Sequence, residues 1–212
     1  WLARADQVFD VYKAYRDRFT PGAPIWVTEM AQAGCGGDRW AATWLDSFRY
    51  VDQMARLAKR GVDVIFHNTL SASDYALIDD VTEQPRPSYW AALLWRRLMG
   101  ETVLDAGEHR GRLHLYAHCL RGSKGGVALV AINLDDRNSA TLALAARSRR
   151  YTLTAHELQS STVKMNEKPL FLKPNYAMPT LNPKAQANGL IMLPAASISY
   201  LAVTDANNKS CI

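Results

Sequence analysis

Hydrophobic rhythm changes once along this chain, near residue 100. Before that point two short apolar runs, 24–29 and 62–67, are set between three stretches of helical period. Val8, Tyr12, Tyr15 and Phe19 share one helix face over 5–19, and Trp44, Phe48, Val51, Ala55 and Ala58 share one over 43–60. Thr20-Pro21-Gly22 breaks the first helix and Gly61 closes the second. A third helix is expected over 88–98, with Pro87 favouring its start and Gly100 its stop. The order helix, strand, helix, strand, helix calls for parallel strands in an α/β domain. Both apolar runs read as buried strands, joined to the last helix by a loop over 68–86. Two parallel strands cannot close a barrel or cover their own edges, so a preceding segment is expected to supply the rest. The opening on Trp1, with a helical pattern starting almost at once, reads as a fragment or a processed product.

Beyond residue 100 the runs become short and rich in β-formers: 102–104, 112–119, 126–134, 140–145, 151–158, 169–172, 189–193 and 197–203. Leu113, Leu115, Ala117 and Cys119 alternate with His114, Tyr116 and His118, the period-two pattern of a strand. Turn signals at 122–126 and 135–138 separate the runs. This spacing reads as an all-β sandwich, with residues 1–100 and 101–212 as the two domains.

No apolar run approaches the ~18 residues of a spanning helix, so no transmembrane segment is expected. The net charge of +5 suits an acidic partner such as a sulfated or uronic-acid glycan. Nucleic acid fits less well, because the sequence has no clustered basic face with interleaved aromatics. The densest cluster, Arg147, Arg149 and Arg150, lies between two strand-like runs and reads as a solvated turn. The three cysteines, Cys35, Cys119 and Cys211, lack the short spacing of a zinc or redox motif, so no metal site is expected from them. Two states remain open from composition: a tail tied down by a disulfide, or three free thiols in a reducing compartment. His114 and His118 cannot share one ion, since four strand residues span roughly 13 Å. Asn208-Lys209-Ser210 is a glycosylation triplet of a kind common by chance.

Glu29 ends a run otherwise made of Ile25, Trp26, Val27 and Thr28. At the C-terminal end of a barrel strand, catalytic groups gather. A carboxylate there is costly unless paired or working, and an ordinary strand-end ion pair is the competing reading.

Longer stretches carry a resemblance. Trp26-Val27-Thr28-Glu29 with its following glycines, the helix from Trp44-Leu45-Asp46 to Leu57, and the run from Ser88-Tyr89-Trp90 to Leu98-Met99-Gly100 resemble the heparanase family. So do Leu115-Tyr116-Ala117-His118-Cys119, Ala131-Ile132-Asn133-Leu134 and the closing Cys211-Ile212. The likeness keeps its order over nearly the whole chain. It implies the C-terminal part of a (β/α)8 barrel followed by a β-sandwich, in a retaining hydrolase of β-glucuronides or heparan sulfate that needs no cofactor. Glu29 matches the family's nucleophile. Retention needs a second carboxyl group about 5–5.5 Å away. In the family that group is a Glu preceded by Asn on an earlier barrel strand, and none of the 28 residues before Glu29 is Glu. Asn166-Glu167 has the right letters but follows the nucleophile, within the sandwich, so it is set aside as a decoy. The glycan and the missing N-terminal half of the barrel are the partners implied.

The family holds the uronate carboxylate with backbone amides of a glycine loop and a Tyr after the last barrel strand. Gly36 and Gly37 match part of that loop, Cys35 stands where the animal enzyme has glycine, and Tyr75 matches the Tyr. A loop aromatic packed on the barrel is the alternative for Tyr75. His67 and Asn68 end the last strand and either line the pocket or, for His67, serve as a hydrogen-bonded core histidine. The resemblance pairs Cys119 with Cys211, and with that pairing comes an oxidising setting: extracellular, cell-surface associated or lysosomal. A catalytically silent glycan-binding relative is the rival reading.

Overall fold

The structure, a computed structural model, describes residues 2–212; Trp1, on which the reading of a fragment leaned, lies outside the described residues. The first part holds α1 (Arg4–Phe19), β1 (Trp26–Met30), α2 (Trp44–Lys59), β2 (Val64–His67) and α3 (Pro87–Leu98). β1 and β2 pair in parallel, with α2 as the crossover such a pair needs. Pro87 starts α3 at its first helical position, where a missing N–H costs nothing. Gly61 ends α2 at φ +89°: its N–H donates to Ala58 O (3.0 Å) and that of Val62 to Leu57 O (3.0 Å), a Schellman turn.

Gly100 has a different task from the one expected of it. α3 stops at Leu98 and β3 (Met99–Leu104) begins on the next residue, so Gly100 lies inside the strand. A Cβ there would run into the Cys119 carbonyl, so glycine lets β3 approach β4 (Leu113–Leu120) closely. Next come β5 (Val127–Asn133), β6 (Ala140–Leu144), β7 (Ser148–Thr154), β8 (Lys164–Met165), β9 (Lys168–Pro169), β10 (Lys184–Gln186), β11 (Gly189–Leu193) and β12 (Ser197–Val203). One sheet runs β3-β4-β5-β12-β7-β8-β9, with β10 also on β7, and β6 pairs separately with β11. Arg149 and Arg150 stand within β7, paired to β10 and β12, and not in a turn. Most of 169–172 stays outside a strand.

The large sheet is buried on both faces. Leu113, Leu115, Ala131 and Leu201 pack against Leu142, Leu144, Ile191 and Leu193 of the β6-β11 pair. On the other face Tyr116, Val130, Ile132, Ile198 and Tyr200 join Trp44, Val51, Trp90 and Leu94 of α2 and α3 in one core. Tyr200 seals this joint with a hydrogen bond from its hydroxyl to Ala91 O (3.0 Å). Cys119 and Cys211 form a disulfide across 92 residues. Asn133 fills the buried corner by donating to the carbonyls of Asn138 and Pro194, both at 2.9 Å.

The apolar face shared by Val8, Tyr12, Tyr15 and Phe19 on α1 is not buried: each is more than half exposed, and only Phe9 of α1 is buried. α1 is held to α2 by Phe9 and by ion pairs of Asp6 with Arg56 and Asp10 with Arg60. β1 and β2 are not buried strands either. Met30 packs inward with Val27 and Ile65, but Trp26 and Phe66 are exposed on the opposite face and cover mainly each other. A parallel pair becomes an apolar run because both faces are meant to be covered, and here helices cover only one.

Candidate active site

β1 and β2 end side by side, and the loops that leave them are tied together. The ladder pairs Val27 with Ile65 and Met30 with His67, so register breaks across Thr28 and Glu29. Irregularities of this kind re-aim side chains at strand ends. Glu29 is exposed there. The ion pairs of α2 and its surroundings, Arg49–Asp46, Arg56–Asp52 and Arg86–Asp79, do not involve it. The Asn68 N–H donates to Met30 O (3.0 Å), which joins the two strand ends.

The loop after β1 is closed at its base by Gln32 and Asp38. Gln32 Nε2 donates to Asp38 Oδ2 (2.9 Å) while Asp38 N donates back to Gln32 Oε1 (3.2 Å). Between them Cys35, Gly36 and Gly37 take φ of 58°, 98° and 88°. This left-handed path suits glycine and strains cysteine, whose exposed thiol is free. A Cβ on Gly37 would lie 3.0 Å from both Ala41 Cβ and Tyr75 Cδ1, so the Tyr75 ring rests where Gly37 has no side chain.

The loop after β2 brings Tyr75 to this place. Its N–H donates to Gly36 O (3.3 Å) and its carbonyl accepts from His67 Nε2 (2.8 Å). A carbonyl only accepts, so the His67 proton sits on Nε2. Burial pushes the His67 pKa below its ordinary value, which keeps the ring neutral in that role. The ring of Tyr50, edge-on at 4.9 Å, backs His67, and burial pushes its own hydroxyl up to about 12. Thus Glu29, Gly36, Gly37, His67, Asn68 and Tyr75 gather at the C-terminal ends of one parallel strand pair. His67 uses its Nε2 on the loop backbone.

Three residues of this arrangement escaped the sequence reading. Gln32 and Asp38 left a faint signal, an Asp two residues before Trp40 whose carboxylate accepts from that N–H (2.7 Å). Arg86 left none. It is buried and donates to Ser73 O, Asp74 O and Asp79 Oδ2.

The other candidates lie elsewhere. Asn166 and Glu167 form the two-residue turn between β8 and β9, with φ of 48° and 72°. The Asn166 side chain bonds Thr152 N and Arg150 O, and Glu167 pairs with Lys184 at 3.2 Å. His114 Nδ1 meets Asp52 Oδ1 (2.5 Å), and His118 Nδ1 donates to Gly100 O (2.7 Å). Among the described residues no three His, Cys, Asp or Glu side chains gather to hold a metal ion. No described helix is long and apolar enough to cross a membrane. Asn208 caps the C-terminal turn, accepting from Ser210 N at 2.9 Å.

No protein-family model matches the chain. Curated proteins do. The chain is 32% identical to baicalin-beta-D-glucuronidase of Scutellaria baicalensis over 85% of its own length and 36% of the relative's. It is 30% identical to heparanase of Gallus gallus over 91% and 40%, respectively. It is 27% identical to inactive heparanase-2 of Homo sapiens over 98% and 39%. The chain thus spans about two fifths of the curated relatives it matches. Among solved structures, a monomeric beta-xylosidase from Caulobacter crescentus CB15 superposes with a TM-score of 0.66 at 14% identity, covering 96% of this chain and 50% of that one. A GH51 arabinofuranosidase from Xanthomonas axonopodis pv. citri gives 0.63 at 16% identity, covering 95% and 45%. These two likenesses concern the fold, which is a mixed α/β one shared with glycoside hydrolases. With curated glucuronidase and heparanase relatives matched over most of its length, the chain belongs to the heparanase-like family.

Proposed function

We propose that this chain is the C-terminal part of a retaining glycoside hydrolase that cleaves β-linked glucuronic acid from a glycan or glycoconjugate, with Glu29 as nucleophile. The observation that carries this reading is the contact of Tyr75 with the Gly36–Gly37 loop, in the loops that leave the ends of β1 and β2, with Glu29 near the end of β1. In this reading β1 and β2 are the last strands of a (β/α)8 barrel, and residues 101–212 form a β-sandwich docked on its last helices. The exposed faces of α1, β1 and β2 support a preceding segment that completes the barrel and brings the acid/base carboxyl group.

The chemistry follows from those roles. A Glu29 oxygen attacks the anomeric carbon while the acid/base group protonates the departing glycosidic oxygen, giving a glycosyl ester. The same group, now a carboxylate, takes a proton from water, whose oxygen displaces Glu29 with net retention. Backbone N–H groups of the glycine loop and the Tyr75 hydroxyl hold the uronate carboxylate, a task suited to donors that do not titrate near neutrality. The disulfide supports an oxidising setting, outside the cell or in a lysosome.

Labelling of the full-length protein with an epoxide cyclitol of glucuronic acid configuration, followed by peptide mapping, tests this. An ester on Glu29 is expected, and Glu29→Gln should abolish it. A folded protein that takes no label speaks for the second reading, a catalytically silent glycan-binding relative. The 27% identity to an inactive heparanase-2 over nearly the whole chain favours keeping that reading in view.

A further inference from the structure

The loop from 68 to 86 has few apolar anchors, yet it must hold one aromatic ring in place. Ala76 and Pro85 are its buried apolar side chains, Leu77 is half-buried against the core, and Leu70 and Val81 are exposed. What fixes it is polar. Arg86, only 8% exposed, stands at the far end, just before α3. One terminal nitrogen donates to both Ser73 O and Asp74 O, the two carbonyls that precede Tyr75. The other donates to Asp79 Oδ2 at 2.9 Å, and the Arg86 N–H donates to Leu77 O at 2.9 Å. The Asp79 carboxylate in turn accepts from Thr82 N and Thr82 Oγ1, at 2.8 and 2.9 Å. A buried guanidinium is costly unless its donors are met, and here both terminal nitrogens are met, mainly by loop backbone, while Nε has no partner.

We infer that Arg86 is a positioning residue: it clasps the chain on both sides of Tyr75 and thereby sets that ring against the Gly36–Gly37 loop for recognition of the substrate's carboxylate. This rests on the reading of the site as a uronate pocket. Tyr75 is held from three directions, by Gly36 O, by His67 Nε2 and by the clasp on its preceding carbonyls. Arg86 touches no reacting atom in this scheme. Its loss therefore weakens binding of substrate and transition state alike, which raises KM and leaves kcat nearly alone. Its effect is also confined to substrates that carry the carboxylate.

The test uses full-length protein carrying Arg86→Gln, Arg86→Lys or Asp79→Asn. Aryl β-glucuronide kinetics are read together with amide hydrogen exchange over residues 69–86. For Arg86→Gln we expect KM to rise about tenfold with kcat within about twofold, and faster exchange confined to that loop. Asp79→Asn should give a smaller rise of the same kind, because the carbonyl contacts remain, and Arg86→Lys an intermediate one, since an ammonium cannot span all three acceptors. Unchanged kinetics in an active Arg86→Gln protein overturn the inference, as does a fall in kcat at constant KM. If the wild type neither hydrolyses a glucuronide nor takes the epoxide label, the hydrolase reading falls. The clasp is then judged on exchange alone, and unchanged protection of the loop overturns it.

Discussion

Gly37 is where backbone conformation and side-chain packing constrain the site together. Its φ of +88° is costly for other residues, and its missing Cβ is the seat of the Tyr75 ring. Alanine there pays the left-handed penalty of roughly 1–2 kcal/mol and displaces the ring as well. Gly36 has the same strain, but its nearest neighbour, Ser73 Cβ, is 4.0 Å from the would-be Cβ. Gly37→Ala should therefore raise KM for a glucuronide about tenfold or more in the full-length protein, and Gly36→Ala clearly less. Equal effects would mean that ring placement is not what the loop provides. At this scale the place of Glu29 near the end of β1 was legible, since a carboxylate closing an apolar run is conspicuous. For His67 the hydrogen-bonded alternative holds but its partner was not legible, and Arg86 left no signal, because both act largely on backbone carbonyls, which leave no mark in a sequence.

At the scale of elements, the joint between α2 and β4 depends on a buried carboxylate. Asp52 is fully buried and accepts from His114 Nδ1 (2.5 Å), Tyr116 Oη (2.7 Å) and Arg56 Nε (2.7 Å). His109 stacks on His114 at 4.1 Å. Burial alone pushes the Asp52 carboxyl up, but His114, Tyr116 and Arg56 outweigh it and hold it below its ordinary value of 3.8. A depressed carboxyl pKa stabilises the fold above the unfolded value and ceases to do so as pH falls through the folded one. Histidines act at higher pH. Burial pushes His67, His109 and His118 below the ordinary 6.5, so the unfolded chain takes up those protons first. Stability should thus decline in two stages on acidification, first below about pH 6.5 and again below about pH 4. Asp52→Asn should cost about 3 kcal/mol at pH 7 and shrink the second stage, which Asp17, Asp79, Asp105 and Asp135 share, while leaving the first unchanged. Urea midpoints of the full-length protein at pH 7.5, 5.5 and 3.5 check this, and a variant with the wild-type pH profile would refute it. The period-two pattern of β4 disclosed one face apolar and one face with two histidines. It did not disclose that the histidine face is the one against α2.

Taken whole, the 212-residue chain leaves its apolar surface uneven. The β half is covered on both faces of its large sheet, whereas Tyr12, Tyr15, Phe19, Trp26 and Phe66 are half or more exposed in the α/β half. Tyr15 lies beside Phe19 and Trp26 beside Phe66, and exposed apolar groups of that kind drive association. Expressed alone, these residues should run as oligomers or aggregates in light scattering, and Tyr12→Lys with Phe19→Lys should reduce the association. A monomer that unfolds in one cooperative step would contradict the reading of a partly completed barrel.

Local rules carried much of this protein. Helical period, the Pro87 start and the Gly61 stop placed α1, α2 and α3 nearly to the residue, because capping and amphipathic spacing act within a few residues of chain. The same rules located β4, β5, β6, β11 and β12. They misjudged burial in β1 and β2, reading both runs as buried strands. Burial depends on what else is present to cover a face, and periodicity is silent on that. Tertiary structure alone decided that one core joins α2 and α3 to the large sheet across residue 100. It also decided that a glycine loop, a tyrosine and the backbone clasped by a buried arginine meet in the loops after β1 and β2, since most of their contacts run through backbone groups brought together only by folding.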